Sequence, residues 1–265
     1  MKSNTDVLDS LPHDGRLAGR TAIVTGSSSG IGEAIARVLA ASGATVVVSG
    51  RDAARADAVV ARIRSSGGAA HGVTVDLSGS YDELRSFAAA ATSALGGQVD
   101  ILVNNAGIYP VSSTEGLADA DLDAMLAINV RAPHVLVGEI APAMAGRGAA
   151  AVVNVGSWMA RVGSPYGAMY TATKAALEQL TRAWSAEYGP RGVRVTTVAP
   201  GATSTPGNAE AAAVLDEMTV GTVAGRPVRP VDVAFATRFL VSDEAAFVHG
   251  TTLDVDGGIL AARLG

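Results

Sequence analysis

The chain has 265 residues, 48% of them hydrophobic and 17% charged, with 20 Lys and Arg against 25 Asp and Glu, for a net charge of −5. Such a chain can bury a sizeable core, and without a basic run it offers no footprint for nucleic acid or an anionic membrane, so small molecules are the expected partners. It has no cysteine, which excludes disulfides, thiol nucleophiles and thiolate zinc sites and suits a cytoplasmic setting, and its four histidines, His13, His71, His134 and His249, show no metal-ligand spacing.

Residues 1–15 contain Lys2 but no apolar h-region and read as a flexible leader, followed by a single domain over 16–265. No apolar run approaches the ~20 residues that span a bilayer. From Thr21 onward, β-branched runs alternate with alanine-rich segments of helical periodicity, the pattern of βαβ units. Strands are predicted at 21–24, 45–48, 72–75, 100–103, 151–155, 193–198 and 253–255, with helices at 32–41, 53–64, 81–94, 121–144, 168–188 and 231–241. This predicts an α/β fold with one doubly wound, seven-stranded parallel sheet. Residues 202–229 hold Pro206, Gly207, Gly221, Gly225 and Pro227 around a helical piece at 209–218 and read as a substrate lid or a surface excursion.

The first strand runs into Gly26-Ser27-Ser28-Ser29-Gly30-Ile31-Gly32 and then a helix. A sharp turn, a close backbone approach and a helix N-terminus together suit the pyrophosphate of a dinucleotide, although the spacing is GxxxGxG and not GxGxxG. Further on, Tyr170 and Lys174 fall one helical turn apart on one face. A phenol of pKa about 10 becomes a usable acid at neutral pH when a nearby ammonium stabilises its anion. Alone the pair also describes a solvated helix face. Its weight comes from Ser157, at the C-terminal end of a predicted strand, where such sheets bind ligands.

These segments resemble the short-chain dehydrogenase/reductase superfamily. Thr25 to Gly32 looks like its TGxxxGIG turn, and Asn104-Asn105-Ala106-Gly107 like its NNAG. Asn129, Ser157, Tyr170, Lys174, Pro200-Gly201 and Asp256-Gly257-Gly258 fall where its other landmarks fall, over residues 16–260. The resemblance implies a Rossmann-like fold and an oxidoreductase most similar to the 3-oxoacyl-thioester reductase and carbonyl reductase branches. It makes Tyr170 the general acid/base, Ser157 the hydroxyl that polarises the carbonyl, Lys174 the residue that lowers the tyrosine pKa and holds the ribose, and Asn129 the anchor of a proton relay.

The implied cofactor residues are Gly26, Ser28, Ser29, Gly30, Ile31, Gly32, Arg51, Asp76, Leu77, Asn105, Ala106, Gly107, Tyr170, Lys174, Pro200, Gly201, Thr203 and Thr205. Where an NAD-selecting acid would align after the second strand, this chain has Gly50 and then Arg51, a partner for a 2′-phosphate, so NADP(H) is expected over NAD(H). On the substrate side, Tyr109, Trp158, Tyr166, Ser157 and Tyr170 could wall a pocket. The implied function is reversible NADPH-dependent carbonyl reduction by a homotetramer built on 121–144, 168–188 and 253–265. The alternatives are an NAD-dependent dehydrogenase of a sugar or steroid alcohol, or a dinucleotide sensor without turnover.

Overall fold

Strand β1 (Thr21–Val24) is apolar on successive residues because both of its faces are covered. Ala22 and Val24 point into one core and Ile23 into the other, all with no exposed surface. The computed structural model describes residues 2–262; Met1 and residues 263–265, the end of the tail expected in an interface, lie outside it. β1 pairs with β2 (Thr45–Gly50) and β4 (Ile101–Asn104), and the full parallel order is β3-β2-β1-β4-β5-β6-β7. The remaining strands are β3 (Ala69–Thr74), β5 (Ala150–Val155), β6 (Val193–Pro200) and β7 (Thr252–Val255). The winding reverses between β1 and β4, which leaves a crevice at their carboxyl ends.

α2 (Gly30–Ala41), α3 (Ala53–Ser65) and α9 (Pro230–Val241) cover one face of the sheet; α4 (Tyr81–Ala94), α6 (Ala132–Ala145) and α7 (Ala168–Tyr188) cover the other. All seven predicted strands are present. β3 starts earlier than predicted because Ala69, Ala70 and His71, weak strand formers, pair in register with Thr45, Val46 and Val47.

The single helix predicted over 121–144 is α5 (Asp119–Leu126) and α6 joined by a π-helical turn at Ala127–Arg131. The cause is Asn129 in that turn, whose amide bonds the backbone of Ile108 and so competes with regular helical register. By length and composition the stretch Asp119–Ala145 could cross a membrane, but most of its apolar window is buried in the protein. In the 202–229 excursion, a 3-10 turn (Pro206–Ala211) precedes α8 (Ala212–Val220), so the helix lies later than predicted. A bridge between Thr203 and Val228 closes the excursion at its base.

The leader, expected to be loose, instead carries α1 (Asn4–Asp9), capped by reciprocal Ser3 and Asp6 bonds. Six residues do not make a stable helix alone, so docking holds it. Leu8 is buried, Asp9 Oδ1 lies 2.6 Å from Arg37 Nη2, and Asn4 Oδ1 accepts from Val231 N at 2.9 Å. Leu8→Ala is therefore expected to destabilise the fold by about 2 kcal/mol. A chain of this size should then melt about 4–8 °C lower, whereas an undocked leader leaves the melting temperature unchanged.

Candidate active site

The turn after β1 is built from close backbone contacts that exclude side chains. Gly26 has φ +62°, and a Cβ there would lie 2.9 Å from Ala106 Cα; one on Gly32 would lie 2.3 Å from Gly26 O. Asn105 ties the turn to the end of β4, its Nδ2 donating to Thr25 O at 2.9 Å and Gly26 O at 3.0 Å. Thr25 Oγ1 accepts from Asn105 N and Ala106 N in return. Ser29 precedes α2 without capping it through its side chain, so the first amides of that helix remain free to meet an anion.

This turn floors a cleft of about 560 Å³ at the crevice between β1 and β4. Its walls include Gly26, Ser28, Ser29, Gly30, Ile31, Gly32, Arg51, Asp76, Leu77, Asn105, Ala106, Gly107 and Thr205, all picked out from sequence. Asp76 also forms a turn, accepting from Ser78 N and Oγ at 2.9 and 2.7 Å, and these bonds, with Arg51 nearby, hold its carboxyl below the usual range. Pro200, Gly201 and Thr203 are buried beside the cleft and do not line it. Gly201 packs on the backbone of Asp256, and the Thr203 hydroxyl donates to Gly201 O at 2.9 Å. The walls also contain Val75, Ile108, Ile128, Gly207 and Arg55, which sequence reasoning missed. Only Arg55 left a signal: it follows Arg51 at helical spacing, next to Asp52, the N-cap of α3.

Behind Gly107 and Tyr109 of the cleft wall, β5 delivers Ser157, which opens a 3-10 turn (Trp158–Arg161) and accepts from Met159 N at 3.2 Å; Ser157, Tyr170 and Lys174 do not line the cleft itself. α7 delivers Tyr170 and Lys174. The Tyr170 side chain is partly covered. Lys174 is buried, with Nζ donating to Val155 O at 2.8 Å and lying 5.9 Å from the Tyr170 ring centre. Burial pushes the Lys174 ammonium down to about 8.

In the unliganded protein the net shift of the Tyr170 phenol is upward. Burial raises the Tyr170 phenol, the Ser157 hydroxyl opposes that, and Tyr109 adds to the rise. Lys174 makes its contact to the Val155 carbonyl and lies over the Tyr170 ring.

Asn129 closes the constellation. Its Oδ1 accepts from Ile108 N at 2.9 Å, and its Nδ2 donates to Ile108 O at 3.0 Å and Thr173 Oγ1 at 3.1 Å. Its side chain thereby fixes the loop that carries Gly107, where a Cβ would lie 3.3 Å from Lys174 Nζ. On the open side, the Tyr109 ring meets Tyr170 edge-on at 6.0 Å. Trp158 is half-buried, and Tyr166 is mostly in solvent at 63% exposure.

A parallel doubly wound sheet, a glycine-walled cleft at its switch point and a Ser, Tyr, Lys cluster beside it define a dinucleotide-dependent oxidoreductase class. The short chain dehydrogenase family matches residues 20–215, and the chain belongs to it. The chain is 34% identical over 253 residues to the cyclopentanol dehydrogenase of Comamonas testosteroni, covering 93% of this chain and 99% of that enzyme. Among solved structures it is similar to a short chain dehydrogenase from Burkholderia cenocepacia in complex with NADP, at 38% identity and TM-score 0.85, covering 93% of this chain and 100% of that one. It is equally similar to a 7 alpha-hydroxysteroid dehydrogenase complexed with NADH and 7-oxo glycochenodeoxycholic acid, at 35% identity and TM-score 0.87, covering 93% of this chain and 96% of that one.

Proposed function

We propose that the protein is a cytoplasmic NADP(H)-dependent reductase of ketones, reversible on the matching secondary alcohols, with Tyr170 as its proton donor. The observation that carries this reading is Tyr170 one helical turn from the buried Lys174 on α7, with the buried Ser157 at the end of β5, beside a glycine-walled cleft. A nicotinamide dinucleotide supplies hydride when bound. Tyr170 and Ser157 would both hydrogen-bond the substrate oxygen, Ser157 steadying the developing alkoxide and Tyr170 protonating it. The phenol is protonated at neutral pH and so is ready to give its proton. Lys174 would hold the ribose hydroxyls, and Asn129 would hold the Ile108 loop that walls the nicotinamide end. The substrate class is read from that pair of hydroxyls and from the cyclic secondary alcohol named for the Comamonas relative.

Cofactor choice is argued from charge. Arg51 and Arg55 both line the cleft beyond β2, and Gly50 stands where an acid would repel a 2′-phosphate. Against them, Asp52 is spent on capping α3 by accepting from Arg55 N at 3.1 Å. Arg51→Ala should weaken NADPH by about tenfold or more, the size of one charge-assisted bond, and leave NADH nearly unchanged. Equal weakening of both cofactors in a fluorescence titration removes the NADP assignment.

We also propose the homotetramer. Its support is the groove of about 730 Å³ where Tyr81, Leu126, Val130, His134 and Leu180 meet on the α4, α5 and α7 side, together with the fully exposed Phe247 near β7. Light scattering at micromolar concentration should give four times the monomer mass; a monomer contradicts it.

A further inference from the structure

Arg161 ends the 3-10 turn that Ser157 begins. Its guanidinium forks across two other elements: Nη1 donates to Asp254 Oδ2 on β7 at 3.0 Å, Nη2 reaches Asp254 Oδ1, and Nε lies 3.4 Å from Glu178 Oε1 on α7. Glu178 follows Lys174 by one helical turn and is buried at 6% exposure, with no hydrogen bond to Oε1. A buried carboxylate is costly unless a cation answers it. Arg161 is the nearest one, with Arg182 as the weaker second and Asp254 opposing both. Asp256 adds to the field around Arg161 from beyond β7.

The two ends of the turn are held differently. At its start, Ser157 follows β5, its Oγ accepts from Met159 N and its carbonyl from Ala160 N at 3.0 Å. At its far end, the backbone bond is the long one from Val162 N to Met159 O, 3.4 Å, and an irregular, mostly open stretch of chain runs on to α7. The side chain of Arg161 supplies what the backbone lacks there.

We propose that Arg161 is a positioning residue for this enzyme: by bridging Glu178 and Asp254 it fixes the 157–161 turn, and with it the Ser157 hydroxyl, against the helix that carries Tyr170 and Lys174. The role rests on the reading of Ser157 and Tyr170 given above. A lysine reaches one carboxylate but cannot fork to two, so Arg161→Lys holds the turn only in part.

The test is amide hydrogen exchange on the full-length protein, with NADPH-dependent reduction of cyclopentanone as the activity readout. Arg161→Met should speed exchange at Met159 and Ala160 by about tenfold, with Arg161→Lys in between, while the amides of β7 and of α7 beyond Leu177 stay within about twofold. Where the parent reduces cyclopentanone, kcat should fall about tenfold with KM for NADPH unchanged. Parental exchange at Met159 and Ala160, equal acceleration throughout α7 and β7, or a parental kcat overturns the proposal. Should Arg161→Met fail to fold, Asp254→Asn carries the same comparison, since it removes one arm of the fork. A Tyr170→Phe enzyme that keeps the parental rate brings down the catalytic reading separately, and the exchange data still decide whether Arg161 holds the turn.

Discussion

Tyr170→Phe is expected to lower kcat for ketone reduction by about 10²–10⁴-fold, the range ascribed to a general acid, and to leave NADPH affinity within about twofold. The ring that meets Tyr109 edge-on and packs beside Lys174 remains, so the cleft keeps its shape. Only the hydroxyl is lost. Ser157→Ala should cost less, because it removes one of two donors to the substrate oxygen. It should also push the Tyr170 phenol further up, since the Ser157 hydroxyl is the influence that opposes burial. A solvated YxxxK face predicts parental rates for both variants.

Lys174→Met is expected to stabilise the unliganded protein at neutral pH while abolishing efficient turnover. The Lys174 ammonium is buried with one carbonyl for company, and its pKa falls from 10.5 to about 8. Below pH 8 the folded and unfolded chains are both protonated, and folding bears the whole cost of burying the charge, roughly 3 kcal/mol. Between pH 8 and 10.5 the folded protein gives up the proton and the unfolded chain keeps it, so the parent gains stability as pH rises. Methionine fills the same channel without the charge but forfeits the bond to Val155 O, worth about 1 kcal/mol. The variant should therefore exceed the parent by roughly 2 kcal/mol in urea denaturation at pH 7 and lose that advantage by pH 10. A constant difference across that window contradicts it. Stability given up at one residue is what a functional group held in a poor electrostatic setting looks like.

The fold was legible because the strands of a doubly wound sheet are apolar on both faces, and runs such as Ile101-Leu102-Val103 cannot be read as anything half-exposed. The turn after β1 was legible because its glycines answer contacts that no side chain survives, at Gly26 and Gly32 above all. Other features had no local signature. The π-helical turn depends on Asn129 meeting Ile108, and α1 on Asp9 meeting Arg37, contacts between positions far apart in the chain. Propensity alone makes residues 4–9 a poor helix. Spacing puts Lys174 on the same face as Tyr170 without saying that its ammonium meets the Val155 carbonyl. Cleft residues such as Ile108 and Ile128 are ordinary apolar side chains, marked only by the crevice into which the topology brings them.

Single-turnover mixing tests the central claim most directly: enzyme preloaded with NADPH is mixed with a panel of cyclic and open-chain ketones, and loss of NADPH absorbance is followed together with the alcohol formed. The account predicts that at least one ketone consumes NADPH and yields one alcohol per NADPH, that NADH supports the same reaction more slowly, and that the Tyr170→Phe enzyme binds NADPH without consuming it. Tight NADPH binding by the parent with no consumption across the panel would contradict it and make the protein a dinucleotide sensor on this fold.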